Sequence, residues 1–272
     1  MIEDLIYDVG MHDGSDTALY LSRGFRVIAI EANPVLVDHA RARFPSAEKD
    51  GRLTILDVGI GAREGVFDFW VNEENDEYSS FVKDMGCRNG SPCHPVKVRC
   101  VPLTNVLAKY GVPYYLKIDI ERGDIHCLRA LKRDDLPRYV SVEAHALEYL
   151  CILSGLGYNA FKCVDQMSHN YPETRPDNES LRGRLTSTWL HYWRELERRG
   201  LRRGPSVRGH YFPSGSSGPF GEDTPGAWEP LETVAYNWLH FKLGQKKRGT
   251  LNPRGWFDFH ATILPSENHH GA

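Results

Sequence analysis

The stretch LIYDVGMHDGSDTALYLSRGFRVIAIEAN, residues 5–33, decides the fold. It begins with a short apolar run rich in aromatic and β-branched residues, which is typical of a buried strand. A helical segment from Thr17 to Arg23 follows and ends at Gly24, and the run RVIAI then predicts a second buried strand that ends at Glu31. Strand, glycine loop, helix and strand in this order predict two parallel strands of one sheet.

The alternation of strands and helices continues to residue 164. The segments LTILDV, YYLKIDI, RYVSVEA and YNAFKCV predict four more buried strands, and GVFDFWV, in which apolar and polar residues alternate, predicts an added antiparallel strand. Near-continuous apolar strands separated by helices are typical of an α/β fold with a doubly wound parallel sheet. Ligands of such sheets bind at the carboxyl ends of the strands, so the residues that follow each strand are candidates for a site.

Residues 165–272 differ in character from residues 1–164. Helical patterns at 184–203 and 232–243 flank a stretch rich in Gly, Pro and Ser, and the apolar segment WFDFHATIL follows. We predict a helical and loop extension that caps the substrate side of the 1–164 core. Its candidates for an acceptor pocket, or equally for the interior of the cap, are His191, Trp193, His210, Tyr211 and Trp256.

The composition of the 272 residues argues against some classes of binding partner. The formal net charge is −3, so no overall positive charge favours a nucleic acid or an acidic membrane. No apolar run approaches the ~20 residues that span a bilayer, and the acidic start is unlike that of a signal peptide. We therefore predict a cytoplasmic protein without a membrane or nucleic-acid partner. The sequence does not determine whether the protein forms a homo-oligomer.

Six cysteines lie between positions 87 and 163, and in a reducing compartment they need no disulfide. Cys87, Cys93, His94 and Cys100 are close together in sequence, but they lack the C-x-x-C spacing of structural zinc sites. We expect ordinary loop and strand cysteines rather than a zinc site.

The loop after the first strand has the pattern D-x-G-x-x-x-G, from Asp8 through Gly10 to Gly14. It lacks the lysine of a Walker loop and the G-x-G-x-x-G of a dinucleotide fingerprint. An acid at a strand end can accept a hydrogen bond from a cationic amine, and glycines let a ligand approach the backbone closely. The combination favours S-adenosylmethionine over a pyrophosphate, although a plain strand-to-helix turn would use the same glycines.

Acids also follow the second and third strands. Glu31, 21 residues after Gly10, is placed to accept the hydroxyls of a ribose, or alternatively to favour the helix that begins at Pro34. Asp57 and Val58 are placed to bracket an adenine, or Asp57 begins a turn.

As a set and in this order, the segments YDVGMHDGSDTALYL, VIAIEANP, SSF at 79–81, LKIDIERGD and YVSVEAH resemble the FkbM family of S-adenosylmethionine-dependent methyltransferases. The resemblance covers most of residues 4–164. It implies a class I methyltransferase fold, which is Rossmann-like, with S-adenosylmethionine as donor and S-adenosylhomocysteine as product. It also implies methyl transfer to an oxygen, commonly of a sugar or polyketide-type natural product.

The family pattern implies the cofactor contacts of this chain. The glycine loop would surround the methionine part of the cofactor, Glu31 the ribose, and Asp57 and Val58 the adenine. Further candidates beside these motifs are His12, Asp13, Thr17, Ala32, Asn33, Ser80 and Asp119.

Charged residues mark the ends of the fourth and fifth strands. Lys117, Asp119 and Glu121 alternate along the fourth strand and should point to one face, and a Lys117–Asp119 salt bridge would be a purely structural reason for them. Members of the family usually continue this strand as D-[IV]-E-G. Here Arg122 follows Glu121 and the glycine comes one residue later, so the sequence does not determine the backbone path after Glu121. The fifth strand leads into Glu143 and His145, which would lie beside these acids if the two strands are neighbours.

Two mechanisms fit these residues. In the first, His145 or a carboxylate takes the proton of a substrate hydroxyl. In the second, Asp119, Glu121 and Glu143 bind Mg²⁺, which lowers the pKa of the hydroxyl and orients a vicinal diol. We favour the metal-free base. The expected function is O-methylation of a small-molecule hydroxyl, and the alternatives are a nucleic-acid methyltransferase or a nucleotide-binding protein without methyl transfer.

Overall fold

A computed structural model describes residues 1–166, 206–207, 210–212, 216–247 and 256–265. The strands are β1 Ile2–Val9, β2 Arg26–Glu31, β3 Leu53–Asp57, β4 Gly59–Ile60, β5 Gly65–Asn72, β6 Cys93–Val101, β7 Pro113–Ile118, β8 Tyr139–Glu143, β9 Ala160–Asp165, β10 Ser206–Val207, β11 His210–Tyr211 and β12 Phe257–Thr262. The helices are α1 Ser15–Ser22, α2 Pro34–Arg43, α3 Pro45–Lys49, α4 Lys83–Gly86, α5 Leu103–Tyr110, α6 Asp124–Ala130, α7 Leu147–Leu156 and α8 Leu231–Lys247.

Seven strands form the main sheet, in the order β3-β2-β1-β7-β8-β12-β9. The neighbours from β3 to β8 pair in parallel, so their carboxyl ends lie along one edge. The side chains of β1 from Leu5 onward and those of β7 and β8 are almost all buried, because helices cover both faces of the sheet. The predicted α/β class and doubly wound sheet are confirmed, as is the expectation that the fourth and fifth predicted strands, β7 and β8, are neighbours.

The strand β12 lies inside the sheet, although its residues belong to the predicted C-terminal extension. It pairs antiparallel with β8 on one side and with β9 on the other. All six residues of β12 are buried, although apolar residues alternate with Asp258, His260 and Thr262 as they would in a half-exposed strand. The C-terminal part therefore supplies a core strand as well as covering elements.

Two helices were predicted in the C-terminal part. The pattern at 232–243 forms α8, which packs on the sheet through the ring pairs Trp238–Phe259 and Phe241–Phe257. The pattern predicted at 184–203 lies outside the described residues. Within the part of the chain that the structure describes, none of the helices has the length and apolar composition of a membrane span.

A second sheet has the strand order β4-β6-β5. Its strands lie between β3 and α5 in the sequence. We call this sheet, together with the residues between β5 and β6, the arm. The predicted antiparallel strand GVFDFWV is its β5, so that strand belongs to the arm and not to the main sheet. Cys87 and Cys93 form a disulfide in the arm, with their Cα atoms 5.4 Å apart. The expectation that the cysteines need no disulfide is wrong at this pair, because the five-residue loop between them folds back on itself.

Candidate functional site

A cavity of about 370 Å³ opens at the carboxyl ends of β1, β2 and β7. Its wall comes from the glycine loop after β1, the ends of β2 and β7, the arm, and two C-terminal residues, Ser216 and Trp256. Ligands of parallel sheets bind at this edge, so the cavity lies where the sequence predicted a site.

The loop after β1 is fixed at Gly10, where it meets β2 and β7. Gly10 has a φ of +85°, and its N–H donates to the carbonyl of Ile30 at 2.9 Å. A Cβ at this position would lie 1.7 Å from the carbonyl oxygen of Asp119. Only glycine fits here, for a packing reason as well as for the backbone angle.

A buried ion pair between Lys117 and Asp8 holds the backbone of this loop. Lys117 Nζ lies 2.9 Å from Asp8 Oδ1 and donates to the carbonyl of Gly10 at 2.8 Å, and Thr17 Oγ1 donates to Asp8 Oδ2 at 2.6 Å. Burial disfavours the ammonium of Lys117, but Asp8 and Asp16 outweigh this and raise its pKa. The salt bridge predicted between Lys117 and Asp119 is replaced by this one. Asp8 is fully buried, so its carboxylate positions the loop and does not line the cavity.

Glu31 stands at the end of β2 and lines the cavity. Its two carboxylate oxygens accept the backbone N–H groups of His12 at 2.9 Å and Asn33 at 2.8 Å, which holds the carboxylate in one orientation. Burial raises its pKa against the effect of these bonds. The side chain of Asn33, not Glu31, caps α2 by accepting the N–H of Val35.

The arm closes one side of the cavity. The ring of Phe81 packs against Gly59, where a Cβ would lie 2.3 Å from that ring, and Ser79 and Phe81 both line the cavity. Across the opening, His12 Nε2 lies 3.0 Å from Asp76 Oδ1. Ser80 does not line the cavity. Its hydroxyl donates to the carbonyl of Glu121, so it ties the arm to the end of β7.

The chain turns sharply after β7. The strand ends at Ile118, and Glu121 and Arg122 have φ values of +45° and +77°. The predicted alternation of Lys117, Asp119 and Glu121 along one strand face therefore does not extend to Glu121. Arg122 adopts the left-handed backbone for which the family pattern uses glycine, a strain that a non-glycine residue carries at a cost of about 1–3 kcal/mol.

Acidic side chains and one histidine meet at this turn. His145 Nε2 lies 2.8 Å from Glu143 Oε2 and 3.9 Å from Asp124 Oδ2. Trp256 Nε1 donates to Glu143 Oε1, and Arg88 Nη2 lies 3.3 Å from Glu121 Oε1. The catalytic candidates Glu121, Glu143 and His145 are thus brought together as predicted. We call them, with Asp119 and Asp124, the acidic cluster.

The carboxyl groups of the acidic cluster are hard to ionise together. Burial, and then the charge of Glu143, raise the pKa of Glu121 to about 7. Burial raises the pKa values of Asp119 and Asp124 as well. Burial lowers the pKa of His145, but its hydrogen bond to Glu143 and the surrounding carboxylates outweigh this and raise it overall.

The structure separates the predicted residues into two groups. Those that line the cavity are Gly10, His12, Asp13, Glu31, Ala32, Asn33, Val58, Lys117, Asp119 and Glu121. Those that do not line it are Asp8, Gly14, Thr17, Asp57, Ser80, Glu143 and His145. Asp57 is exposed on β3, so Val58 reaches the cavity without it.

Sequence reasoning missed several residues of the cavity wall. Met11 and Asp16 lie between predicted residues, and their direction depends on the turn at Gly10. Asp76 and Ser216 come from segments without a motif, so no local signal marks them. Trp256 was a pocket candidate and does line the cavity; His191 and Trp193 lie outside the described residues, as do the side chains of His210 and Tyr211.

Comparison with known proteins gives a family match and partial likenesses to solved structures. The model of the methyltransferase FkbM domain matches residues 8–158, more than half of the chain. The crystal structure of methyltransferase FkbM from Methylobacillus flagellatus KT is 17% identical with a TM-score of 0.37, covering 56% of this chain and 36% of that one. The structure of precorrin-6y C5,15-methyltransferase from Geobacter metallireducens GS-15 is 15% identical with a TM-score of 0.36, covering 60% of this chain and 68% of that one. This chain spans little more than a third of the first of these proteins, and no curated protein gives a match.

Proposed function

Since this chain belongs to the FkbM methyltransferase family, we propose that it methylates a hydroxyl oxygen of a sugar or natural-product-type small molecule. Membership makes S-adenosylmethionine the methyl donor. The nature of the acceptor and the roles of individual residues are the proposal. The observation that carries it is the acidic cluster at the edge of the cofactor-sized cavity.

The cavity suits the chemistry of S-adenosylmethionine. Glu31 is held by two backbone N–H groups and still offers lone pairs to the hydroxyls of a ribose. Val58, Ile60 and Phe81 provide an apolar slot for the adenine. Asp13 and Asp119 supply negative charge for the ammonium and sulfonium groups.

In this scheme the protein holds the acceptor and removes its proton. Bound S-adenosylmethionine supplies a methyl group on a positively charged sulfur, which leaves as the neutral thioether of S-adenosylhomocysteine. An alcohol is a weak nucleophile, so its proton must leave as the new oxygen–carbon bond forms. Glu121 and Asp119 line the cavity and His145 stands behind them, so proton acceptors lie beside the place of transfer.

The cofactor assignment predicts the binding of S-adenosylhomocysteine, with the variant Glu31→Gln binding it at least ~10-fold more weakly. The amide cannot accept from both N–H groups and the ribose together, and a lost charge-assisted hydrogen bond is worth about 1.5–3 kcal/mol. Isothermal titration calorimetry measures both affinities. The matched control is Asp38→Asn, an acid of α2 whose side chain is 79% exposed, and it should bind like the wild type.

A titration with NADH separates this function from the nucleotide-binding alternative. Binding of NADH without binding of S-adenosylhomocysteine would refute the proposal. Transfer of a labelled methyl group to a panel of sugars and polyols then tests the acceptor. The product should be an ether that survives mild base, and a methyl group found only on nitrogen or carbon would exclude O-methylation.

A further inference from the structure

We propose that Glu121, Glu143 and His145 bind a divalent transition-metal cation at the edge of the cofactor cavity. The binding of a cation is inferred from the structure around these side chains and does not depend on the proposed function. The role of the cation in catalysis rests on the function proposed above.

The three side chains converge on one point. One ligand atom from each residue lies within 4.8 Å of the corresponding atoms of the other two. Ligands around an ion with bonds of ~2.1 Å lie roughly 3–4 Å apart, so small side-chain rotations complete the site. The residues come from two separate strand ends, since Glu121 follows β7 while Glu143 ends β8 and His145 comes two residues later. Neighbouring strands of the sheet therefore hold the site in place.

The ligand types select the kind of cation. Mg²⁺ prefers oxygen ligands throughout, whereas an imidazole nitrogen with two carboxylates suits Mn²⁺, Fe²⁺ or Zn²⁺. The ligand set predicted from the sequence for Mg²⁺ contains Asp119 in place of His145. The close approach of His145 Nε2 to Glu143 Oε2, at 2.8 Å, changes both the ligand set and the expected ion. A cation bound here would lie between these two atoms.

A buried atom without a hydrogen-bond partner points to the same place. Asp124 is fully buried, and its Oδ2 has no hydrogen-bond partner among the described residues, while it lies 3.9 Å from His145 Nε2. Its Oδ1 accepts the N–H of Ile120, so the carboxylate is held in this direction. An acceptor buried without a donor is costly, and a cation on His145 would satisfy it electrostatically.

The charges nearby also favour a cation. Asp119, Asp124 and Asp258 surround the three ligands, and each is buried or half-buried. Among the described residues, the cationic side chain in contact with the ligands is Arg88, at 3.3 Å from Glu121. Lys117 also acts on Asp119 and Asp258, but it is already paired with Asp8. The cluster therefore holds more carboxyl groups than cations, and a divalent ion would balance the carboxylates that ionise when it binds.

The position of the site suggests what the cation does. Glu121 lines the cavity, and Trp256, which donates to Glu143, lines it too. A cation held here would have open positions toward the cavity and could bind an acceptor hydroxyl, which lowers the pKa of that hydroxyl. Two adjacent hydroxyls would fill two such positions, so the favoured acceptor is a vicinal diol.

Binding of Mn²⁺ to the full chain tests the site. After EDTA treatment and dialysis, electron paramagnetic resonance counts free Mn²⁺ during a titration, and we expect one bound ion per chain. The variants Glu143→Gln and Glu121→Gln should each weaken binding by at least ~10-fold. The matched control is Glu148→Gln on α7, whose side chain is 56% exposed and pairs with Arg129; it should bind Mn²⁺ like the wild type.

Two results would overturn the proposal. One is a wild-type chain that binds no Mn²⁺ up to millimolar concentration, and the other is equal binding by the Glu143→Gln, Glu121→Gln and Glu148→Gln proteins. Titration of S-adenosylhomocysteine into the same samples verifies their fold and keeps the two proposals apart. Loss of Mn²⁺ binding with cofactor binding retained is the expected pattern of Glu143→Gln, whose side chain does not line the cavity.

Discussion

Gly10 shows how closely the backbone of the site is packed. We predict that Gly10→Ala destabilises the protein by more than ~3 kcal/mol, because its Cβ would meet the carbonyl oxygen of Asp119 at 1.7 Å. Gly24 is the matched control: its φ is +87°, almost equal to the +85° of Gly10, but no atom lies within 4 Å of its Cβ position. Gly24→Ala should therefore cost only the backbone strain, about 1 kcal/mol.

Urea denaturation followed by circular dichroism measures both free energies of unfolding. The difference between the two variants isolates the steric clash from the strain of the left-handed backbone. Equal losses in the two proteins would mean that β7 can move away from the loop, and the rigid contact inferred at Gly10 would be wrong.

At the scale of single residues, the sequence predicted which residues lie near the site better than it predicted which residues they contact. The position of Glu31 could be predicted because it is the last residue of a strand, and strand ends meet at the site. The partner of Lys117 could not, because Asp8 is 109 residues away and the choice between Asp8 and Asp119 depends on the register of β1 with β7. The direction of Glu121 depends on two left-handed residues that the sequence does not mark with glycine.

Among the elements, β12 has the largest consequence for stability. Phe259 of β12 is fully buried and packs its ring against Trp238 of α8, with the ring centres 5.6 Å apart. We predict that Phe259→Ala lowers the free energy of unfolding by about 3–5 kcal/mol, the usual cost of a cavity left by a buried phenylalanine. Differential scanning calorimetry would detect this as a clear fall in Tm.

The control for this prediction lies on α8, the helix that Phe259 contacts. Tyr236 of α8 is 67% exposed, so Tyr236→Ala should change the free energy of unfolding by less than ~1 kcal/mol. If Phe259→Ala were as mild as Tyr236→Ala, β12 would not be part of the cooperative core.

The elements themselves were largely predictable, whereas their placement was not always so. Apolar runs predicted the parallel strands because burial on both faces leaves few polar positions. The strand β12 alternates apolar and polar residues although both of its faces are buried, so its pattern did not indicate a central strand. Nothing local says which strands a late segment will join. The β5 segment was recognised as antiparallel from its alternation, but its membership of the arm depends on its pairing with β6.

At the scale of the whole molecule, Asp16 links the first helix to the C-terminal part. Its Oδ2 accepts the N–H of Ser217 at 3.2 Å, and the segment beyond Ser217 stacks Phe220 on Tyr115 with ring centres 4.2 Å apart. Burial, opposed by the charge of Lys117, raises the pKa of Asp16 from 3.8 to about 6. The folded state therefore keeps a proton that the unfolded state has already lost between these pH values.

The sign of the pH effect follows from this shift. The contribution of Asp16 to stability is fully present below about pH 4 and is lost as the pH rises through about 6. We predict that the free energy of unfolding falls more steeply between pH 4 and 6.5 in the wild type than in Asp16→Asn, by on the order of 2 kcal/mol. Urea denaturation at four or five pH values measures the difference.

Asp4 provides the opposite case. Its hydrogen bond to Arg26 lowers its pKa, so its contribution is present above about pH 4 and is lost as the pH falls further. Asp4→Asn should therefore leave the slope between pH 4 and 6.5 as in the wild type, because that window lies above the titration of Asp4. A slope in Asp16→Asn that also equals the wild-type slope would show that Asp16 is ionised throughout the window.

The placement of β12 also sets an order of events on the ribosome. Among the described residues, β9 hydrogen-bonds to the main sheet only through β12. The ribosome must add about 90 residues after β9 before β12 exists. At roughly 5–20 residues per second, this leaves the open edge of β8 and the apolar strand β9 without their shared neighbour for about 5–20 s. Nascent chains of this protein should therefore be substrates for chaperones that protect exposed strand edges until translation has passed residue 262.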